Sequence, residues 1–197
     1  LFFLQIQQGA VYVAEAVENR TSNLNLPAPR GNIYDRNGIV LAQNVPAFNL
    51  VITPADLPED QGAIAEIYRT LSDLVGVPVN LGAVTLETPF SPCISQHGIA
   101  QIVKYGDTTA PFRPVKIKCD IDPKLAMVIQ EKAVDWPGVG IEVEGVRDYP
   151  TGELTAALIG FLGPIPAALE AQYTAAGFVA RRDKVGYAGV EFQFQEI

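Results

Sequence analysis

Four groups of side chains in this sequence could carry chemistry, and their spacing limits what each can do. Glu142 and Glu144 stand two apart in the alternating run Val139-Gly-Ile-Glu-Val-Glu-Gly-Val146, so both carboxylates leave the same face of a strand. A glycosidase needs two carboxylates across a cleft with one pKa raised. Neighbours on one strand face read instead as a solvated acidic surface. His97 is the sole histidine. With no Cys, Asp or Glu beside it at ligand spacing it forms no metal site, and without an organised partner it is no general base, so it reads as a surface or capping residue. Cys93 and Cys119 are the two thiols. The fourth group is a charge cluster, Arg30, Asp35 and Arg36, set around Asn37-Gly38. No phosphate loop, dinucleotide fingerprint or metal-ligand spacing is present, so the sequence implies no cofactor and no metal.

The charge cluster lies in the stretch that organises the chain, Ala28-Pro-Arg-Gly-Asn-Ile-Tyr-Asp-Arg-Asn-Gly-Ile-Val-Leu-Ala-Gln-Asn44. Pro29 disfavours helix at Ala28, and Gly31 allows a backbone conformation closed to other residues. Ile33-Tyr34 and Ile39-Val40-Leu41 read as two strands joined through Asn37-Gly38, the dipeptide suited to a type I′ hairpin. A plain hairpin does not require three charged residues at its turn. Their presence predicts a junction with another part of the molecule.

RGNIYDRNGIVLAQN resembles the RGxIxDRNGxxLAxN pattern of class B penicillin-binding proteins, matched at Arg30, Gly31, Ile33, Asp35, Arg36, Asn37, Gly38, Leu41, Ala42 and Asn44. A second stretch resembles that family's PGVxVxxxxxRxYPxG, matched at Pro137, Gly138, Val139, Arg147, Tyr149, Pro150 and Gly152. The family usually continues with Ala-His, and here Ala156-Ala-Leu-Ile-Gly-Phe161 lacks the histidine. A third, GxxGxE, is matched at Gly186, Gly189 and Glu191, with Tyr187 in place of the usual Lys. The three follow in family order and together cover nearly the whole chain.

The resemblance implies a non-catalytic pedestal or dimerisation module that precedes a penicilloyl-serine transpeptidase domain. That domain needs a Ser-x-x-Lys pair one helical turn apart, so that the amine can activate the hydroxyl. Ser22, Ser72, Ser91 and Ser95 are followed three places on by Asn25, Val75, Ile94 and Gly98, and no Lys-Thr-Gly or Lys-Ser-Gly occurs. The catalytic domain is therefore expected to lie outside this chain. The resemblance also implies a single membrane anchor upstream of Leu1-Phe-Phe-Leu and a place on the extracytoplasmic side of the cell membrane. Its implied partners are a polytopic glycan polymerase and scaffold proteins of cell-wall synthesis, and a second copy of the chain, since some members self-associate. In such a compartment Cys93 and Cys119 stand either as a disulfide or as small buried apolar residues.

Bulk properties fit this picture. The 197 residues are 48% apolar and 18% charged, with 17 Gly and 15 Pro, which suits one domain or two small lobes with many turns. A net charge of −8 argues against a nucleic-acid or anionic-lipid partner. No run of about 18 apolar residues occurs.

The expected fold is α+β: a small antiparallel or mixed sheet from residues 22–53 and 112–149, an inserted helical lobe, and a helical C-terminal part. A membrane-proximal stalk helix is expected over residues 1–20, a pedestal core over 21–53 and 112–197, and the inserted lobe over 54–111. Within these, Phe3 to Val17, Gln61 to Val75, Ile94 to Tyr105, Asp122 to Val134 and Pro166 to Ala176 show helical patterns, and Phe192 to Ile197 extends a helix. Strands are expected at Ala47–Thr53, Phe112–Asp120 and Val139–Val146. Two other readings are a stand-alone hydrolase using acidic residues and a carbohydrate-binding module, which the lone Trp136 supports poorly. The three motifs are expected to converge, with Glu191 accepting from Arg30, Arg147 or both.

Overall fold

The computed structural model describes residues 29–94, 96–179 and 183–194, so the expected stalk helix lies outside the described residues. The fold is α+β, and the chain divides into two compact units. One is Gly31–Gly152; the other combines Leu1–Arg30 with Glu153–Ile197.

The Gly31–Gly152 unit is built on one long strand. Strand β1 (Ile33–Tyr34) turns into β2 (Val40–Ile52), which pairs antiparallel with β1, with β3 (Val115–Ile121) and with β4 (Val139–Asp148). The sequence reading gives two strands here, Ile39-Val40-Leu41 and Ala47–Thr53, and between them lies Pro46, which cannot donate to a ladder. In the structure β2 runs through, since β4 pairs along it from Gln43↔Asp148 to Ile52↔Val139, with Pro46 opposite Gly145. Pro46 falls in the interval between the β1 pairing, which ends at Ala42, and the β3 pairing, which begins at Phe48. A missing N–H is tolerated there.

Three helices pack on this sheet: α1 (Gln61–Val75), α2 (Ile99–Thr109) and α3 (Pro123–Lys132). Helix α1 matches its apolar spacing, starts under the Asp60 carboxylate, which accepts from Ala63 N, and stops at left-handed Gly76. Helix α3 starts similarly, with Asp122 accepting from Lys124 N and Pro123 in the first turn. Helix α2 begins five residues later than its apolar pattern predicts. The cause lies in the 78–81 segment: Pro78 O and Val79 O accept from Ile99 N and Ala100 N, taking up amides that a helix start otherwise leaves unpaired.

The core is a single cluster. Leu50 and Ile52 of β2 meet Ile67, Tyr68 and Leu71 of α1, Ile99, Ile102 and Val103 of α2, Ile117 and Ile121 of β3, and Ile129 of α3. Residues 54–111, expected as an inserted helical lobe, contribute α1 and α2 to the same core as the sheet, and the divisions between units fall near residues 30 and 152.

The other unit contains α4 (Ala156–Ile159), β5 (Leu162–Pro164), α5 (Glu170–Ala175), β6 (Lys184–Gly186) and α6 (Gly189–Gln193). Strands β5 and β6 pair antiparallel, from Leu162↔Gly186 to Pro164↔Lys184. The expected helix near 166–176 is a 3-10 turn at Ala167–Leu169 followed by α5. Ile159, Val185 and Tyr173 are its buried apolar residues among those described. Strands of three residues carry too little pattern for a period-two reading, which is why the sequence reading missed β5 and β6.

Candidate functional site

The hairpin between β1 and β2 has a different turn from the expected one. Asp35 N donates to Ile39 O at 2.9 Å and Gly38 N to Asp35 O at 3.1 Å, leaving Arg36, Asn37 and Gly38 as a three-residue loop. Gly38 has φ 81°, while Asn37 is absent from the left-handed region, so the turn is type I closed by a left-handed glycine rather than type I′. The reason is Asp35. Its Oδ1 accepts from Asn37 N and Ile39 N, both at 2.8 Å, and its Oδ2 accepts from Asn37 Nδ2 at 3.2 Å. The Ile39 amide is the largest influence holding the Asp35 carboxyl below its ordinary range, with the Asn37 and Gly38 donors adding to it against a smaller opposing effect of burial. The charge of Asp35 therefore serves its own turn. Arg36, Asn37 and Gly38 are exposed.

Arg147 of β4 brings the second motif to the first. It is the ladder partner of Asn44, and its Nη1 donates to Gly31 O at 2.8 Å and to Asn44 Oδ1 at 3.4 Å. Gly31 lies outside the left-handed region and a Cβ there would meet nothing within 4 Å, so the conformational freedom that glycine allows is not used here. Its carbonyl is the part in use. Tyr149, Pro150 and Gly152 close β4 in a turn, with Gly152 N donating to Tyr149 O at 2.9 Å.

The Glu142–Glu144 pair is not simply solvated. Lys116 of β3 lies 2.6 Å from Glu144 Oε2 and 3.6 Å from Glu142 Oε2, reaching across the central strand. Burial alone would lower the Lys116 pKa. The Glu144 hydrogen bond and the charges of both carboxylates outweigh it, and the net shift is upward. Asn49, only 2% exposed, joins the network: its Nδ2 donates to Glu144 Oε2 and its Oδ1 accepts from Asp120 N. The sequence signal for Asn49 was a lone amide inside the apolar run Phe48–Ile52, and the reading passed over it. Two carboxylates held by one lysine on a sheet face are no acid–base pair across a cleft.

In the other unit the structure brings Arg30 and Glu191 together. Arg30 Nη1 donates to Glu191 Oε2 at 2.9 Å and to Glu191 O at 3.3 Å. The Glu191 side chain is 2% exposed and that of Arg30 23%. The glycines around it are close-packing positions. A Cβ on Gly186 would strike the Glu191 backbone, and one on Gly189 (φ 61°) would strike the backbone of α4 at Leu158 and Ile159. Tyr187, which stands where the resemblance suggests Lys, stacks on Phe161 at 5.4 Å and donates to Pro164 O at 2.6 Å.

Cys93 and Cys119 form a disulfide, which settles the alternative left open by the sequence. His97 is 7% exposed, and its Nδ1 is buried without a hydrogen-bond partner. The expectation of a surface or capping residue is thus corrected: the 78–81 segment supplies the acceptors at the α2 start, and His97 is enclosed beside Gly82. Among the described residues no three His, Cys, Asp or Glu side chains come together as a metal site, and no helix is long and apolar enough to cross a membrane.

Comparison with known proteins agrees with this geometry. The chain is 26% identical over 195 residues to the peptidoglycan D,D-transpeptidase MrdA of Acinetobacter baumannii, covering 99% of this chain and 26% of that protein. It is 36% identical over 151 residues to the probable peptidoglycan D,D-transpeptidase PenA of Neisseria gonorrhoeae, covering 76% of this chain and 22% of that one. The chain thus spans about a quarter of the length of these curated relatives. Its fold is similar to that of penicillin-binding protein 2B from Streptococcus pneumoniae, with a TM-score of 0.53 at 17% identity over 87% of this chain and 34% of that one. The model of the penicillin-binding protein dimerisation domain matches residues 25–197, and the chain belongs to that family, the non-catalytic N-terminal region of class B penicillin-binding proteins.

Proposed function

We propose that this chain is the pedestal module of a membrane-anchored peptidoglycan D,D-transpeptidase. It positions a catalytic domain carried elsewhere in the protein, on the extracytoplasmic side of the membrane, and it binds a polytopic glycan polymerase and scaffold proteins of cell-wall synthesis. The chain itself performs no chemistry. The observation that carries this reading is how the motif residues are used: Arg30 on Glu191, Arg147 on Gly31 O and Asn44, and Asp35 on its own turn. These residue types could bind substrate, yet here they are engaged in holding backbone and neighbouring side chains in place. The partner reading is tested with the purified glycan polymerase in detergent titrated against the full-length transpeptidase and against a form lacking residues 31–152. Binding at about micromolar Kd that is lost with the deletion supports it. Equal affinity of both forms contradicts it.

A further inference from the structure

We propose that the Cys93–Cys119 disulfide is a redox clasp holding residues 82–94 beside His97, and that a dithiol reductant opens it. The segment before it is well tied: Leu81 N donates to Gln101 Oε1, Leu81 O accepts from Gly98 N, and Gln101 Nε2 donates to Asn80 Oδ1. Beyond Leu81 the pattern changes. Thr88 Oγ1 donates to Ala83 O, Thr88 N to Thr85 Oγ1, Thr85 N to Thr88 O and Ile94 N to Ser91 O, all within the segment. Phe90 packs from the segment against the core cluster behind it. The Phe90 ring lies 5.3 Å from Tyr105 of α2, and the disulfide joins Cys93 to Cys119 of β3 across 26 positions of sequence.

What lies beside the segment gives the clasp a consequence. Gly82, Ala83, Thr88, Pro89 and Gln96 line, with His97, a solvent-open depression of about 290 Å³, and His97 itself is 7% exposed. The buried Nδ1 of His97 has no partner, and an unpaired polar atom favours any state in which water reaches it. Closure therefore stands against that desolvation cost, and the covalent bond opposes opening. Reduction is balanced: the dithiol's sulfurs join each other, its two electrons cleave the Cys93–Cys119 bond, and its two protons pass to the freed thiolates. The opened segment carries Leu86, already fully exposed, and admits solvent to the imidazole.

The chain has a single histidine, so its reaction with diethyl pyrocarbonate reads this site alone, by mass of the peptide carrying His97. Protein reduced with dithiothreitol and blocked at its thiols should react about tenfold or more faster than oxidised protein, because a cross-link restricts the open ensemble. Cys93→Ser should react at the fast rate with or without reductant, with far-UV circular dichroism unchanged. Equal rates in oxidised and reduced protein would overturn the proposal. So would loss of the far-UV signal on reduction or in Cys93→Ser, which would make the bond a staple of the whole unit rather than a local clasp.

Discussion

A carboxylate with 2% of its side chain exposed, as in Glu191, needs partners inside the fold, and the Arg30 guanidinium 2.9 Å away is one of them. Removing one member of such a pair costs about 3–5 kcal/mol, against less than roughly 1 for an exposed pair. Arg30→Ala and Glu191→Gln should therefore fall in the first range by denaturant unfolding, with a coupling of about 1 kcal/mol or more in the double mutant. Additive effects below about 0.5 kcal/mol would mean the pair contributes nothing jointly. Asp35 gives a pH prediction. Its carboxyl is held below 3.8 in the folded state, chiefly by the Ile39 amide, so its contribution to the hairpin is present above the ordinary carboxylate value and is lost as pH falls through the lowered one. The protection factor of the Ile39 amide, the intrinsic exchange rate over the observed rate at the same pH, should fall in that acid window, whereas in Asp35→Ala it should be low throughout and show no such step. The Arg30–Glu191 pairing was legible in the sequence; the role of Asp35 was not, since its charge counted toward a junction and in fact serves the turn itself. The turn type was not, because two amide bonds to Asp35 decide it and the Asn-Gly dipeptide alone does not.

Elements with strong periodicity were readable from sequence, and those set by neighbours were not. Helix α1 was found at both ends because its apolar spacing, Asp60 cap and Gly76 stop agree. Helix α2 was misplaced because its start depends on carbonyls twenty or more residues upstream. Strand β2 was split because continuity across Pro46 comes from β4, a partner about a hundred residues away. Two element-level predictions follow from packing. Gly186→Ala forces a methyl onto the Glu191 backbone and should cost about 1–3 kcal/mol, whereas Gly31→Ala meets open space and should stay within about 0.5, as thermal unfolding would show. The reverse order would contradict the geometry. Asn49→Ala should cost about 1–3 kcal/mol, since it strips the acceptor from Asp120 N, a residue at φ 52° on β3, and removes a donor to Glu144. Full retention of stability would mean that water replaces the amide.

For the molecule as a whole, family membership was legible because three motifs carry residue types whose spacing survives in order, even though their roles turned out to be local. Arg30 holds a buried carboxylate, Arg147 a carbonyl and an amide oxygen, and Gly186 and Gly189 sit at close backbone contacts, which fits the proposed role of a support. Helices α1 and α2, which interrupt the strand order in sequence, complete the same core as the sheet, a packing that sequence order alone does not state. A support and a catalytic element respond differently to the same substitutions. The central claim is tested most directly in the proposed full-length transpeptidase, by measuring the rate of acylation by a fluorescent penicillin in wild type, Glu191→Gln and Arg147→Ala. The account predicts lower melting temperatures in both variants with acylation rates within about twofold of wild type, because no transition-state contact is removed. It also predicts no covalent label on the isolated chain after boiling. A fall in acylation of about tenfold or more at full folded occupancy, or a labelled band on the isolated chain, would contradict it.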